Sequence, residues 1–191
     1  MTDKTSRILS VIPLIYQKST TQLQQYEYSN KVLLPSIFLQ DFQDKYDDQL
    51  QFPMIFKLYS KKLPHNVCYC GVIDFTAPPN TIYVPIHLME ELYIEINEKI
   101  VVELVLDIPK GELIRIRPHQ EAFTLVKDAK SILEHAIIGF YPVLSKGEKI
   151  SFMLGDIQLD FDIIKTEPCD VIITVDTDLS VDFAPFRTEK M

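Results

Sequence analysis

Residues 83–92 read YVPIHLMEEL, and fifty positions upstream residues 33–42 read LLPSIFLQDF. Each stretch sets apolar residues before a proline and a short run of helix-spaced apolar residues after it. Proline fixes φ at about −65° and has no N–H, so it suits a first helical turn. The pattern predicts a strand running into a short helix at Pro35 and again at Pro85. Strongly apolar strands follow each, at 54–58 and 100–106. A strand–helix–strand unit that occurs twice predicts a β-barrel with pseudo-twofold symmetry.

Strand signals extend along the whole chain. They are KVLL (31–34), MIFKL (54–58), CYCGVIDF (68–75), TIYV (81–84), KIVVELVL (99–106), LIRIR (113–117), KISFM (149–153), IQLDFDII (157–164) and VIITV (171–175). The cleanest is IQLDFDII. Ile157, Leu159, Phe161 and Ile163 alternate with Gln158, Asp160 and Asp162, giving one apolar and one wet face. One longer helix is predicted over 128–140, with Asp128 as its cap. Its apolar stripe is Ala129, Ile132, Leu133, Ala136, Ile137 and Phe140, and Pro142 stops it. Alternation breaks at Pro118. The reading is therefore mixed β and α+β, in four parts: an N-terminal arm (1–19), a barrel lobe (20–117), an α+β lobe (118–186) and a tail (187–191).

The chain carries a net charge of −8 over 191 residues, which argues against a grip on nucleic-acid phosphates or an anionic membrane surface. No stretch reaches the ~20 apolar residues of a bilayer crossing, so direct membrane insertion is not expected. The start, MTDKTSRILSVIPLIYQ, carries Asp3 and lacks a small-residue cleavage site, so no signal peptide is expected. Three cysteines are read as reduced thiols of the cytosol or nucleus. With five glycines and neither G-x-G-x-x-G nor a P-loop, no cofactor is expected.

The candidate chemistry is thin. HNVCYCGVIDF (65–75) sets Cys68 and Cys70 on one strand face behind His65. Zinc knuckles use C-x₂-C with a second pair, whereas only Cys169 remains here. No redox C-x-x-C occurs. Cys70 is expected to be a small buried group before a strand glycine, with Gly71 at a bulge or a close backbone approach. Asp160/Asp162 and Asp176/Asp178 are i, i+2 pairs that could form acid–base dyads, but more often make a solvated face. VDTD (175–178) lacks the glycine of an aspartic protease signature. His65, His87, His119 and His135 are scattered without H-E-x-x-H, and no G-x-S-x-G is present. Lys61-Lys62 and Arg115/Arg117 read as surface positions. No catalytic, cofactor-binding or metal-binding residue is assigned.

Six stretches in order carry a family resemblance: FPMIFKL (52–58), CGVIDF (70–75), IYVPIHLM (82–89), IPKGELIRIRP (108–118), KDAKSILEHAIIGFYPVLSKGEKI (127–150) and IIKTEPCDVIITVDTDLSVDFAP (163–185). Together they resemble the N-terminal domain of the ubiquitin fusion degradation protein 1 family, from about Lys31 to Pro185. The resemblance implies a double-psi β-barrel lobe followed by a small α/β roll. It implies a non-enzymatic adaptor that binds ubiquitin and polyubiquitin chains. Its partners would be the nuclear protein localisation 4 homologue and the AAA ATPase valosin-containing protein, to which it would deliver ubiquitylated substrates. Its location would be cytoplasmic and nuclear, with recruitment to the endoplasmic reticulum surface. The alternatives are an interaction module without ubiquitin binding and an enzyme on a barrel scaffold. The sequence departs from the family at PIHLM, which lacks the usual tryptophan, and at VDFAPF, which lacks a residue and a glycine. Stopping at Met191, it reads as an excised domain or a short paralogue, without the usual ATPase-docking tail. No motif fixes the ubiquitin-contact residues.

Overall fold

The computed structural model describes residues 6–17, 21–46, 52–121, 123 and 126–185. The chain divides into two units, Met1–Asp107 and Ile108–Met191. The first contains β1 (Ser6–Pro13), α1 (Thr21–Gln24), β2 (Lys31–Pro35), α2 (Ser36–Tyr46), β3 (Ile55–Ser60), β4 (Val67–Ala77), β5 (Thr81–Val84), α3 (Ile86–Glu91) and β6 (Lys99–Val105). Its strands close a barrel in the order β1-β5-β2-β4-β3-β6. The β1–β5 and β2–β4 pairs are parallel and the others antiparallel. Exchanging β1 with β4, β2 with β5 and β3 with β6 returns the same order and the same directions. That is the pseudo-twofold predicted from the two proline stretches.

The barrel interior follows from period-two alternation. Phe56 and Leu58 of β3, Cys68 and Cys70 of β4, and Ile100, Val102 and Leu104 of β6 all turn inward. Phe38 and Phe42 of α2 meet Phe56 at ring-centroid distances of 5.7 and 5.9 Å.

The first unit and its boundary differ from the sequence reading. Ser6–Pro13, read as part of an arm over 1–19, is a barrel strand held between β5 and β6, while 1–5 and 18–19 lie outside the described residues. Leu9, Val11 and Pro13 point inward, while Ile8 and Ile12 occupy the outward positions and blur the alternation. The boundary also moves back, from 117/118 to 107/108. LIRIR pairs with strands of the second unit, and its own alternation could not reveal its partners.

The second unit holds β7 (Leu113–Pro118), α4 (Ala129–Phe140), β8 (Val143–Ser145), β9 (Lys149–Leu154), β10 (Ile157–Glu167), β11 (Val171–Ile173) and β12 (Ser180–Phe183). One sheet runs β12-β7-β10-β9 and a second pairs β11 with β8. Leu133 and Ile137 of α4 bury with Leu159, Phe161 and Ile163 of β10. Phe161 stacks on Phe152 at 5.2 Å and meets Phe123 edge-on at 4.8 Å.

Asp128 does not cap α4 with its side chain. Its backbone is left-handed, φ 59°, and only its carbonyl joins the helix, accepting the Ile132 N–H at 3.2 Å. A capping oxygen is normally delivered from an extended residue. The strand predicted at 171–175 ends at Ile173, and the predicted tail at 187–191 lies outside the described residues.

Candidate functional site

The residues singled out by chemistry do not converge. Cys68 and Cys70 are buried in the barrel wall, while His65 and Cys169 are exposed. Cys68 bonds the Glu91 carboxyl, whose burial pushes it above the usual carboxylate range against that bond. The Gly71 N–H donates to the Asn30 carbonyl at 2.9 Å, an ordinary ladder distance, and the β2–β4 register slips just beyond it. Among the described residues, no group of three or more His, Cys, Asp or Glu is placed to hold a metal ion. Lys62 pairs with Glu98 at 3.2 Å and Arg115 with Asp182 at 3.2 Å. Arg117 sits opposite Asp162 in the β7–β10 ladder.

Of the acidic pairs, Asp160 and Asp162 share the outer face of β10, whereas Asp176 and Asp178 lie beyond the end of β11, Asp176 in a left-handed turn. Asp160 accepts from the Ser151 hydroxyl at 2.6 Å, from the Gln158 amide at 2.9 Å and from Lys149 at 3.1 Å. Burial alone would raise its carboxyl, but those three donors outweigh it and hold the group below the usual range. His119 places Nε2 2.7 Å from Asp162. A nucleophile needs its hydroxyl on the base. Here Ser151 donates to one aspartate and His119 bonds the other. His87 and His135 contact the carbonyls of Glu27 and Ser131.

A small concavity of about 180 Å³ in the second unit includes Asp178 and Glu134 in its lining, and a larger one lies in the first unit. A groove of about 810 Å³ is lined by Pro13, Tyr16, Ile86, Met89, Glu90, Tyr93, Ile94, Glu95 and Ile96. It forms where β1 ends against α3 and the turn after it. The N–H of Asn97 donates to the Val11 carbonyl at 2.7 Å, and the Val11 N–H donates to Glu98 at 2.9 Å. These two bonds fix the 94–98 turn to β1. Behind Ile86, the Glu27 carboxylate takes the Ile86 N–H at 3.2 Å, capping α3 from a distant segment. Its other oxygen is buried without a hydrogen-bond partner among the described residues. Burial pushes the Glu27 carboxyl up, against the N–H groups of Ile86 and Ile15.

The end of α3 is a Schellman motif. Ile94 N–H reaches the Met89 carbonyl at 3.0 Å and Tyr93 N–H reaches Glu90 at 3.1 Å. Met89 and Ile94, the two positions whose apolar contact usually accompanies that motif, are both buried in the barrel core and form the groove floor. The left-handed position is normally glycine. In this chain it is Tyr93, at φ 52° and 78 % exposed. The other described non-glycine residues with positive φ are all Asn or Asp, which tolerate that region. A tyrosine there carries backbone strain without burying its ring.

Comparison with known proteins decides the family. Two family models match in succession: ubiquitin fusion degradation protein UFD1, N-terminal subdomain 1, over residues 5–108, and N-terminal subdomain 2, over residues 110–186. The chain belongs to the ubiquitin fusion degradation protein 1 family. It is 26% identical over 165 residues to the Caenorhabditis elegans ubiquitin fusion degradation protein 1 homolog, covering 86% of this chain and 46% of that protein. It is 27% identical over 159 residues to the Dictyostelium discoideum homolog, covering 83% and 46%. It is 25% identical over 157 residues to the Homo sapiens ubiquitin recognition factor in ER-associated degradation protein 1, covering 82% and 49%. The chain thus spans about half the length of these relatives. The junction of the two ubiquitin fusion degradation protein 1 subdomains, 108/110, falls where the units part, at 107/108. The groove belongs wholly to the first subdomain. Sequence reasoning missed it, although the missing glycine after MEEL was a visible signal.

Proposed function

We propose that this chain is a non-enzymatic adaptor domain that recognises ubiquitin and polyubiquitin chains. It would help deliver ubiquitylated substrates to the AAA ATPase valosin-containing protein, alongside the nuclear protein localisation 4 homologue. The observation that carries the reading is the in-order match of both subdomains across nearly the whole chain. The name of the human relative, a ubiquitin recognition factor in ER-associated degradation, supports it. The dispersal of the chemistry-bearing residues supports an adaptor over an enzyme, since Ser151 and His119 engage different aspartates. In this reading the barrel is a double-psi barrel, with β1–β5 and β2–β4 as its parallel crossings, and the second unit is an α/β roll. The protein works in the cytoplasm and nucleus and is recruited to the endoplasmic reticulum surface.

Single ubiquitin contacts of this kind are weak and gain strength when several units of a chain engage at once. The test is a titration of isotope-labelled protein with monoubiquitin and then with linked tetraubiquitin. Localised shift changes that grow sharper with the chain are expected. An unmoved spectrum with both ligands removes the reading. The altered ending VDFAPF favours a second reading, the same fold serving as an interaction module without ubiquitin. Capture of the ATPase in the absence of any ubiquitin binding would select it.

A further inference from the structure

The walls of the α3 groove are open apolar side chains: Tyr16, Ile86, Tyr93 and Ile96 are all exposed. An exposed side chain gains nothing from the fold, and glycine would satisfy the Schellman position at less cost. Strain held at a solvent-facing position points to a role outside folding. The two charged residues in the lining, Glu90 and Glu95, are both acidic and exposed, and neither forms a salt bridge among the described residues. A concavity of about 810 Å³ has room for several protruding side chains. A flat folded face would bridge it and leave the Met89–Ile94 floor empty.

We propose that the groove between the end of β1 and α3 seats a linear peptide segment of a partner protein, with apolar anchors flanked by lysine or arginine. The anchors pack between Tyr93, Ile96 and Ile86, and the cations face Glu90 and Glu95. The apolar anchors supply most of the affinity. The rim charges select against acidic segments, because like charges brought together disfavour the wrong partner. This inference is separate from ubiquitin recognition and does not rest on it.

The experiment uses the full chain and a short fluorescent peptide of leucine, phenylalanine and arginine. Its sibling carries glutamate in place of each arginine. Fluorescence anisotropy is expected to show the arginine peptide binding about tenfold tighter than the sibling. The double variant Glu90→Lys/Glu95→Lys is expected to reverse that preference. Ile96→Ser is expected to weaken the arginine peptide about tenfold. If the serine variant fails to fold, the surface charge reversal alone still decides.

Equal affinity for the two peptides, or an unchanged preference in the charge-reversed variant, overturns the inference. Displacement of the peptide by monoubiquitin also overturns it, since the groove is then the seat of ubiquitin. So does self-association on sedimentation that Ile96→Ser abolishes, since the occupant is then a second copy. Ubiquitin that binds without displacing the peptide leaves the inference standing. A protein that binds the peptide and no ubiquitin sinks the adaptor reading alone.

Discussion

The hydroxyl of Tyr141 donates to the carbonyl oxygen of Ser151 at 2.5 Å and accepts the N–H of the same residue at 2.9 Å. One side chain thereby satisfies both backbone groups of a residue on β9, an edge strand of its sheet. Open edges invite pairing with other chains. Tyr141 is fully buried, and burial raises its phenol well above the usual tyrosine value, so the hydroxyl keeps its proton. Tyr141→Phe preserves the ring and strips the hydroxyl. It is expected to destabilise the second unit by about 1–3 kcal/mol, the usual effect of leaving buried backbone groups unsatisfied. Urea unfolding of parent and variant measures this, and equal midpoints would contradict it.

Gly111 has no room for a side chain. A Cβ there would sit 2.6 Å from Ile172 Cδ1, 2.9 Å from Leu179 Cδ1 and 3.2 Å from the Ile173 carbonyl oxygen. Ile172 is itself fully buried. Gly111→Ala is expected to lower stability by about 1–3 kcal/mol through overpacking. Hydrogen exchange should show β11 opening first, because the Gly111 N–H donates to the Ile173 carbonyl at 2.8 Å. Unaltered protection at β11 would count against the argument.

Glu27 gives the first unit a pH dependence. Its carboxyl is raised by burial, against two backbone N–H groups. A carboxyl with a higher pKa folded than unfolded binds more protons in the folded state. Its contribution is therefore full below the ordinary value and is lost as pH rises through the raised one. Glu27→Gln keeps an acceptor for Ile86 and removes the ionisation. The melting temperature of the variant relative to the parent is expected to climb between about pH 4 and about pH 8. Calorimetry at both ends checks this, and a constant difference would exonerate Glu27.

Tyr93→Gly relieves a left-handed tyrosine whose ring is outside the core. It is expected to raise stability by up to about 1 kcal/mol, the usual gain when a non-glycine residue leaves this conformation. Thermal melts read the gain. Lower stability would mean that the exposed ring supports the fold after all.

Much of the fold was visible in the residue pattern, and the losses have identifiable causes. The paired proline stretches announced the barrel because each local choice agreed with the global one. β1 was hidden by Ile8 and Ile12 on its outer face, and β8 and β12, at three and four residues, are too short to show a period. β7 was seen as a strand but set in the wrong unit, since pairing partners are not encoded locally. The burial of Cys70 was expected, and alternation sets Cys68 on the same buried face. The groove was not expected, because it needs Pro13 and Tyr16 to meet residues 86–96, and the φ of Tyr93 leaves no periodic trace.

The twofold barrel presents equivalent corners at α2 and α3, and the chain has treated them differently. α2 runs eleven residues, to Tyr46, and its Phe38 and Phe42 plug one end of the barrel with aromatic rings. α3 stops after six, with the aliphatic Leu88 and Leu92 at the corresponding positions. The corner at the shorter helix carries the groove, so two copies of one plan differ in what they present to solvent.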